Sequence, residues 1–485
     1  MDRLAAACLI ALALAGCGAT REQLREAGRD CRERNPDTAE AIAACTELLA
    51  QDAAPEQRAT YLAARGTAYA RSGQAAPAMT DLTEALQLVP GLTNARLERA
   101  KLEESQGDIA AARADLDQVL KEGPWIVEAL VRRARFEMAA GDNQAAIKDL
   151  TEALKVRPER SDAWSSRASA QRNAGNPKAA AEDYAEAIKL RPDSASTYLA
   201  RAAALLQLGD TAGALADVDA AIARDPKSAD AYNQRGRIQA ANGNLDQAVA
   251  DFTQAIALEP GLASAYSNRG AVLVRRGDLD GGIADFSKAI ELAPDFAPAY
   301  VSRAYAWSKK GEDRKALQDF DQALRLAPDN VAALIGRGNS LVRLDDLDAA
   351  IASFTRAIAL QPDSAPAYQS RAYAWTKKGD DRRALQDFDR TIQLQPDNAA
   401  ALASRASVLT RLGSLNKALA DYNRSIDLQR ENANAYYGRG RVYLQLDQLG
   451  RARADFRQAL KLDPAMEAAQ RQLDNVDRLM AAQTG

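Results

Sequence analysis

The chain repeats itself every 34 residues, and this period restricts its fold more than any other property of the sequence. Twelve units follow one another without insertion or deletion over residues 59–466. A fixed period of this length is typical of an array in which each unit packs on its neighbours. Proline marks the period at Pro90, Pro124, Pro158, Pro192, Pro226, Pro260, Pro294, Pro328, Pro362 and Pro396, and again at Pro464.

Each unit predicts two amphipathic helices. In residues 263–296, apolar side chains recur at helical spacing twice, first at Tyr266 and Leu273 and then at Ile283 and Phe286. The sequence therefore predicts an all-α array that buries its core between stacked helix pairs.

The breaks between the helices are equally regular. Gly277 can take the left-handed conformation that ends a helix, and Asp278 can cap the next helix. Ten of the twelve units keep this glycine, and Asp345 and Asp447 replace it in the other two. The marker proline then ends the second helix, so its replacement by Arg430 predicts a small irregularity.

Small and large residues recur at fixed places in the second helix. The twentieth residue of most units is alanine, and the large side chain four residues later would fit against such a small one on a facing helix. These large residues are Leu82, Tyr184, Phe252, Phe286, Phe320, Phe354, Phe388 and Phe456.

This pattern resembles the tetratricopeptide repeat (TPR). The resemblance implies an α-solenoid, a right-handed superhelix of antiparallel helix pairs whose first helices line a concave groove. Residues 467–485 predict one more helix, which would cap the end of the core. The family's clamp for the carboxylate tails of chaperones is not found, because Asn339 and Asn268 lack the matching lysines.

An arginine and an aspartate recur in almost every unit. The seventh residue is arginine in all twelve units, and the twenty-third is aspartate in eleven, with Ser353 as the exception. Twelve catalytic arginines are not plausible, whereas a repeated Arg–Asp pair between packed helices suits the planar guanidinium. We interpret this ladder as structural; it includes Arg269 with Asp285, Arg303 with Asp319, and Arg371 with Asp387.

The charge balance and the lack of histidine exclude several classes of function. The 485 residues carry 63 basic and 66 acidic side chains and no histidine. The near balance argues against general nucleic-acid binding, which usually leaves a basic excess. Histidine metal ligands, histidine general bases and Ser–His or Cys–His pairs are excluded. No unit departs from the repeat to house a reaction, so we expect neither an enzyme nor a cofactor.

The N-terminus predicts a signal peptide over residues 1–16. Arg3 precedes an apolar run over residues 4–15, which is too short to span a bilayer. The run ends in LAGC, which resembles the lipobox of bacterial lipoproteins. That resemblance implies a lipid on Cys17, such as palmitate, and a place in the outer membrane. The alternative is an ordinary cleaved signal that leaves a soluble periplasmic protein.

Residues 17–58 predict a degenerate thirteenth repeat, because the sequence around Ala41 and Thr46 matches that around Ala146 and Thr151. Cys45 then takes the place of the large core residue, and Cys31 lies on the facing helix. In an oxidising periplasm the two could form a disulfide. Two buried free thiols are the alternative.

The first three units of the array, residues 59–160, are the least regular. Glu103, Glu137 and Gln171 stand where later units have Leu273 or Trp307. We therefore expect looser packing there.

Two surfaces are candidates for partner binding. A basic stripe follows the ends of the first helices and includes Arg275, Arg276, Lys309, Lys310, Arg343, Lys377, Lys378 and Arg411. It is either a track for an acidic partner or a set of cations that favour helix C-termini. The resemblance further places residues 2, 5, 9 and 12 of each unit in the groove. Among them are Arg135, Met138, Asn233, Arg237, Val301, Tyr305, Ile335, Asn339, Val342, Gln369, Tyr373, Tyr437 and Arg441.

These observations predict a non-catalytic scaffold in the bacterial cell envelope that binds other envelope proteins or peptides along the TPR groove. A binder of an anionic exopolysaccharide, guided by the basic stripe, is the alternative from another class. A soluble periplasmic adaptor is the alternative placement.

Overall fold

The computed structural model describes Cys31 and residues 38–484, which contain 26 α-helices and no strand. We number the helices α1 to α26, so that α2 to α25 are the alternating first and second helices of the twelve units. None of the helices in this part of the chain has the length and apolar character needed to cross a membrane. The chain divides into two compact units, one up to Lys227 and one from Ser228 onwards.

The first compact unit holds eleven helices of residues 38–227. Their bounds are α1 Thr38–Leu49, α2 Pro55–Arg71, α3 Ala75–Leu88, α4 Thr93–Gln106, α5 Ile109–Glu122, α6 Val127–Ala139, α7 Asn143–Val156, α8 Ser161–Asn173, α9 Pro177–Leu190, α10 Ala195–Gln207 and α11 Thr211–Arg224.

The second compact unit holds the remaining fifteen described helices. Their bounds are α12 Ala229–Ala241, α13 Leu245–Leu258, α14 Ala263–Arg275, α15 Leu279–Leu292, α16 Ala297–Lys309, α17 Asp313–Leu326, α18 Val331–Arg343, α19 Leu347–Leu360, α20 Ala365–Lys378, α21 Asp381–Leu394, α22 Ala399–Arg411, α23 Leu415–Leu428, α24 Ala433–Gln445, α25 Leu449–Leu462 and α26 Glu467–Thr484.

The turn between the two helices of a unit is left-handed in all twelve units. Gly277 has φ of +92°, and Asp345 and Asp447 adopt φ of +67° and +54° at the equivalent positions. Aspartate tolerates this conformation better than most residues. The Oδ1 atom of Asp278 then accepts a hydrogen bond of 2.9 Å from the amide of Gly281, which confirms the predicted cap of α15.

The predicted irregularity at Arg430 is wrong. Gln429, which ends α23, has φ of −140° and ψ of 88°. Ala293, which precedes a marker proline, has almost the same conformation, with φ of −138° and ψ of 85°. The packing of the helices therefore fixes this extended residue, and the proline favours it without being required.

Glycines allow first and second helices to approach closely around the large core residues. Phe286 on α15 is 1% exposed. A methyl group added at Gly270 on α14 would lie 3.0 Å from Cε1 of Phe286 and 3.0 Å from the backbone oxygen of Gly282. The interlocking of small and large residues predicted from the sequence is thus present in the core.

A disulfide joins Cys31 to Cys45 on α1, with their Cα atoms 4.9 Å apart. This confirms the disulfide and excludes the alternative of two free thiols. Next to it, the guanidinium of Arg65 on α2 donates a hydrogen bond to the hydroxyl of Thr46. Helix α1 thereby contacts α2 much as the second helix of one repeat contacts the first helix of the next.

The arginine ladder joins three helices at most of its steps. The Nε and Nη2 atoms of Arg303 on α16 donate to both carboxylate oxygens of Asp319 on α17, at 2.8 and 2.7 Å. Its Nη1 atom donates to Ser287 on α15, the second helix of the preceding unit. The aspartates are nearly buried and the arginines partly so, which makes these pairs stronger than surface ion pairs.

The exception at Ser353 keeps the clamp by changing its partner. Arg337 donates to the Ser353 hydroxyl at 2.7 Å and to the carboxylate of Asp321, on the preceding second helix, also at 2.7 Å. A carboxylate from the neighbouring unit thus compensates for the one that is missing.

The least regular units differ from the others in hydrogen bonding rather than in packing. Leu116 on α5 and Leu150 on α7 are fully buried, so the expected loose core is not seen. The polar side chains at the eleventh position instead keep buried oxygens without a hydrogen-bond partner in the described chain. These atoms are Oε2 of Glu103, Oε2 of Glu137 and Oε1 of Gln171.

The two glutamates have raised pKa values for a clear physical reason. Burial is the main cause, since it disfavours the charged form, and nearby carboxylates add to it. Asp115 acts on Glu103 and Asp149 on Glu137, and the pKa of each glutamate rises from 4.5 to about 7. Arg99 and Arg133 oppose the rise without cancelling it.

We predict that the stability of the first compact unit falls as the pH rises from 4.5 to about 7. Over this range the folded protein binds more protons than the unfolded chain, so the free energy of unfolding decreases with pH. The double variant Glu103→Gln, Glu137→Gln should lose most of this dependence. At pH 8 it should be more stable by about 1–3 kcal/mol, because no charge is buried.

Urea unfolding at pH 5 and pH 8 measures this effect, and hydrogen exchange of the amides of α4 to α7 locates it. Amides of α20 and α21, which lie in the other compact unit, serve as the internal control. Identical pH profiles for the variant and the native protein would contradict the prediction.

We also predict that the ladder is weakest where the preceding unit offers no carboxylate. Asp387→Ser leaves Arg371 with hydroxyl partners but no carboxylate, whereas Asp421→Ser leaves Arg405 with the carboxylate of Asp389 at 2.8 Å. Asp387→Ser should cost about 2–4 kcal/mol of unfolding free energy, and Asp421→Ser about 1–2 kcal/mol less. Paired urea titrations measure the difference, and equal losses would show that the neighbouring carboxylate does not compensate.

Candidate partner-binding site

A face without charged residues runs across five consecutive first helices, α14, α16, α18, α20 and α22. In a protein of ordinary composition, about a quarter of such positions would be charged. Positions 2, 5, 9 and 12 of these units are Ser264, Ser267, Ala271, Val274, Pro298, Val301, Tyr305, Ser308, Ala332, Ile335, Asn339, Val342, Pro366, Gln369, Tyr373, Thr376, Ala400, Ala403, Ser407 and Thr410. We call these residues the uncharged face.

Most of the uncharged face is accessible to solvent. Ser267 and Thr410 are buried, and its other members are exposed or half-buried. Depletion of charge with exposed aromatic and aliphatic side chains is typical of the centre of a protein–protein interface. Several of these residues are predicted singly from the sequence. The lack of charge at four positions in each of these five units was missed, although it is visible in the sequence.

Two tyrosines stand out from this face in fixed orientations. Tyr305 and Tyr373 are 39% and 41% exposed, and their rings meet Phe320 and Phe388 edge-on at 5.2 and 5.4 Å between centroids. The Tyr305 hydroxyl donates to the backbone oxygen of Ala332 on the next first helix, at 2.8 Å. Burial of part of the phenol raises the pKa of Tyr305, which keeps this donor protonated.

The second tyrosine is held in the same way, since its hydroxyl lies 2.8 Å from the hydroxyl of Ser404. Each tyrosine is held by a ring contact and by a hydrogen bond of its hydroxyl, so it loses little conformational entropy when a partner binds. Such residues often carry much of the binding energy. The face thus presents two equivalent aromatic contacts, with Asn339 at the same position of the intervening unit.

Tyr437 lies beside this face rather than within it. It belongs to α24, where its ring is half-buried against Phe456 at 5.9 Å. The guanidinium of Arg441 lies 5.9 Å from the same ring. The structure therefore brings Tyr305, Asn339 and Tyr373 into one row and leaves Tyr437 outside that row.

The first helices of the other compact unit present a different surface. Lys101 pairs with Glu98 at 2.9 Å, and Arg135 lies 4.0 Å from Glu104. Arg132 pairs with the same glutamate. Binding there would remove water from charges that already have partners, which is costly.

Most cations of the basic stripe pair with aspartates of the preceding unit. Five pairs share a spacing of 30 residues: Arg276 with Asp246, Lys310 with Asp280, Arg343 with Asp313, Lys378 with Asp348, and Arg411 with Asp381. Hydrogen bonds from Arg343 lower the pKa of Asp313. Lys377 pairs with Asp345.

Two cations of the stripe also contact helix C-termini, as expected if the stripe stabilises helix ends. Arg275 donates to the backbone oxygen of Ala240 and Lys377 to that of Val342, both at 2.9 Å. These carbonyls lie at the C-terminal ends of the preceding first helices, where cations are favoured. The exposed amine of Lys309 makes no ion pair within residues 38–484. Partner binding by the stripe remains a prediction.

Cys17 lies outside the described residues, and so does the predicted signal peptide. The lipid anchor and the place in the envelope therefore rest on the sequence alone.

Comparison with solved structures finds distant similarity in fold. The Cut9–Hcn1 hetero-tetramer of the APC/C is 16% identical over 94% of this chain and 95% of that chain, with a TM-score of 0.46. YrrB, a TPR protein with an unusual peptide-binding site, is 24% identical over 39% and 96%, with a TM-score of 0.34. PilF of Pseudomonas aeruginosa is 18% identical over 44% and 97%, with a TM-score of 0.41. No curated protein sequence matches the chain significantly.

Sequence profiles of repeat families give a clearer result. A tetratricopeptide repeat profile matches residues 97–149, 131–195, 199–263, 234–297 and 303–365, which together are more than half of the chain. A second tetratricopeptide repeat profile matches residues 433–465, and a TPR repeat profile matches residues 406–447. With its left-handed turns, paired helices and 34-residue period, the chain belongs to the tetratricopeptide repeat family.

Proposed function

We propose that this protein is a non-catalytic scaffold of the bacterial cell envelope that binds partner proteins on its uncharged face. The observation that carries the proposal is the combination of an accessible surface without charge and two tyrosines already held in place, Tyr305 and Tyr373. Such a surface loses little hydration and little conformational freedom when it is covered.

The place in the envelope is inferred from the N-terminal sequence. An apolar run of residues 4–15 followed by LAGC supports export and lipid attachment at Cys17. The disulfide between Cys31 and Cys45 agrees with an oxidising compartment. A soluble periplasmic adaptor is the alternative placement.

We predict that Tyr305→Ala together with Tyr373→Ala reduces recovery of partner proteins at least tenfold. Loss of a central aromatic contact costs about 2 kcal/mol or more at an interface. Cross-linking in intact envelopes, followed by affinity purification and quantitative mass spectrometry, measures the loss. The variant Tyr305→Phe, Tyr373→Phe keeps both rings and serves as the control for ring contact.

A second variant tests the basic stripe in the same experiment. In this variant, glutamate replaces six cations of the stripe: Arg275, Arg276, Lys309, Lys310, Lys377 and Lys378. Loss of partner proteins with this variant, but not with the alanine variant, would move the binding surface from the uncharged face to the stripe. Recovery of an acidic polysaccharide in place of proteins would support the exopolysaccharide alternative.

We predict that Cys17→Ser releases the protein from the membrane fraction. Without the thiol there is no site for the first lipid chain. A single lipid chain elsewhere does not anchor a protein stably. Fractionation of envelopes and mass spectrometry of the N-terminal peptide measure the change. Cys8→Ser, which lies within the predicted signal, is the matched control. An unchanged distribution of Cys17→Ser would exclude the lipid anchor.

A further inference from the structure

The uncharged face is closed at each end by an exposed arginine. Arg237 on α12 and Arg441 on α24 occupy the ninth position of their units, the same position as Tyr305 and Tyr373. Neither arginine forms an ion pair within residues 38–484, whereas most cations of the basic stripe do. These two charges are therefore available to a partner.

The residues between the two arginines determine which side chains the middle of a bound ligand can carry. Along the ninth position the row reads Arg237, Ala271, Tyr305, Asn339, Tyr373, Ser407 and Arg441. The five residues between the arginines offer apolar contacts and neutral hydrogen-bonding groups, and none of them carries a charge that could balance one on the ligand. A charge in the middle of the ligand would lose its water without gaining a partner, which is costly.

The length of the row limits the ligand as well. Six steps between neighbouring first helices, at about 8–10 Å each, cover roughly 50–60 Å. An extended polypeptide spans this distance with about 16–18 residues. A short tail of a few residues could therefore meet one arginine but not both.

We propose that the uncharged face binds an extended polypeptide segment that is uncharged along its middle and carries a carboxylate at each end, one for Arg237 and one for Arg441. This inference rests on the proposed function, because it names the chemistry of the partner at the same surface. A polypeptide fits better than an anionic polysaccharide, whose charges recur along its whole length and would find no cation among the residues of the uncharged face.

Selection from a phage-displayed library of random 20-residue peptides, with the full-length lipidated protein in detergent micelles as target, tests the proposal. Enriched peptides should place aspartate or glutamate near their ends and uncharged residues between them. Their binding should require Tyr305 and Tyr373. Enrichment of acidic residues throughout, or of no peptide at all, would overturn the inference.

Charge reversal then tests the two arginines directly. Arg441→Glu or Arg237→Glu should weaken the binding of an enriched acidic-ended peptide about tenfold, and a peptide with lysine at the corresponding end should regain the loss. Arg135→Glu is the matched control, because Arg135 has the ninth position of its own unit but lies in the other compact unit. It should leave the affinity unchanged.

The outcomes separate this inference from the proposed function. Peptides that need the two tyrosines but ignore both charge reversals would overturn the inference and leave the scaffold function in place. Retention on immobilised alginate that depends on the tyrosines, without enrichment of peptides, would assign the face to a glycan and overturn the polypeptide ligand. If the variant with Tyr305→Ala and Tyr373→Ala recovers as many envelope partners as the native protein in the cross-linking experiment, the proposed function itself is overturned.

Discussion

The arginine clamp is the interaction on which the arrangement of the first helices depends. Each ladder arginine hydrogen-bonds to the twenty-third residue of its own unit, and most of them, such as Arg303, also donate to the preceding second helix. A planar fork that is held from two sides leaves its helix little freedom to rotate about its axis. Because the bond between the seventh and the twenty-third residue recurs in every unit, each first helix presents the same positions to solvent. The uncharged face follows from this fixed rotation.

The fold was almost fully predictable because the residues that end helices and form the core recur in twelve units, and these signals agree with one another. Glycine or aspartate before the second helix, as at Gly277 and Asp345, gave the helix ends, and the structure has the left-handed turn at each. The error at Arg430 has a physical cause. Proline is one way to obtain an extended residue before it, and the packing of α23 supplies the same conformation to Gln429 without it.

The candidate site was only partly predictable, for a different reason. Tyr305 and Tyr373 were visible as groove residues, but their rigidity depends on hydrogen bonds to the next unit that no single-unit pattern contains. The ion pairs of the basic stripe join residues 30 positions apart, such as Arg276 and Asp246. This distance is neither a helical spacing nor the 34-residue period. Such residues meet only when the units stack. The sequence therefore showed the cations of the stripe without the aspartates that pair with them.

The two compact units show how one repeat frame can carry two surface chemistries. The clamp and core positions are common to both, so the outward positions of the first helices can vary without loss of fold. In the first unit they carry charges with local partners, such as Lys101 with Glu98, and covering them would remove water from satisfied ions. In the second they are neutral from α14 to α22, and unpaired cations remain at Arg237 and Arg441. A partner therefore gains apolar contact in the middle and meets unpaired charge at both ends, which favours one position along the row over a displaced one.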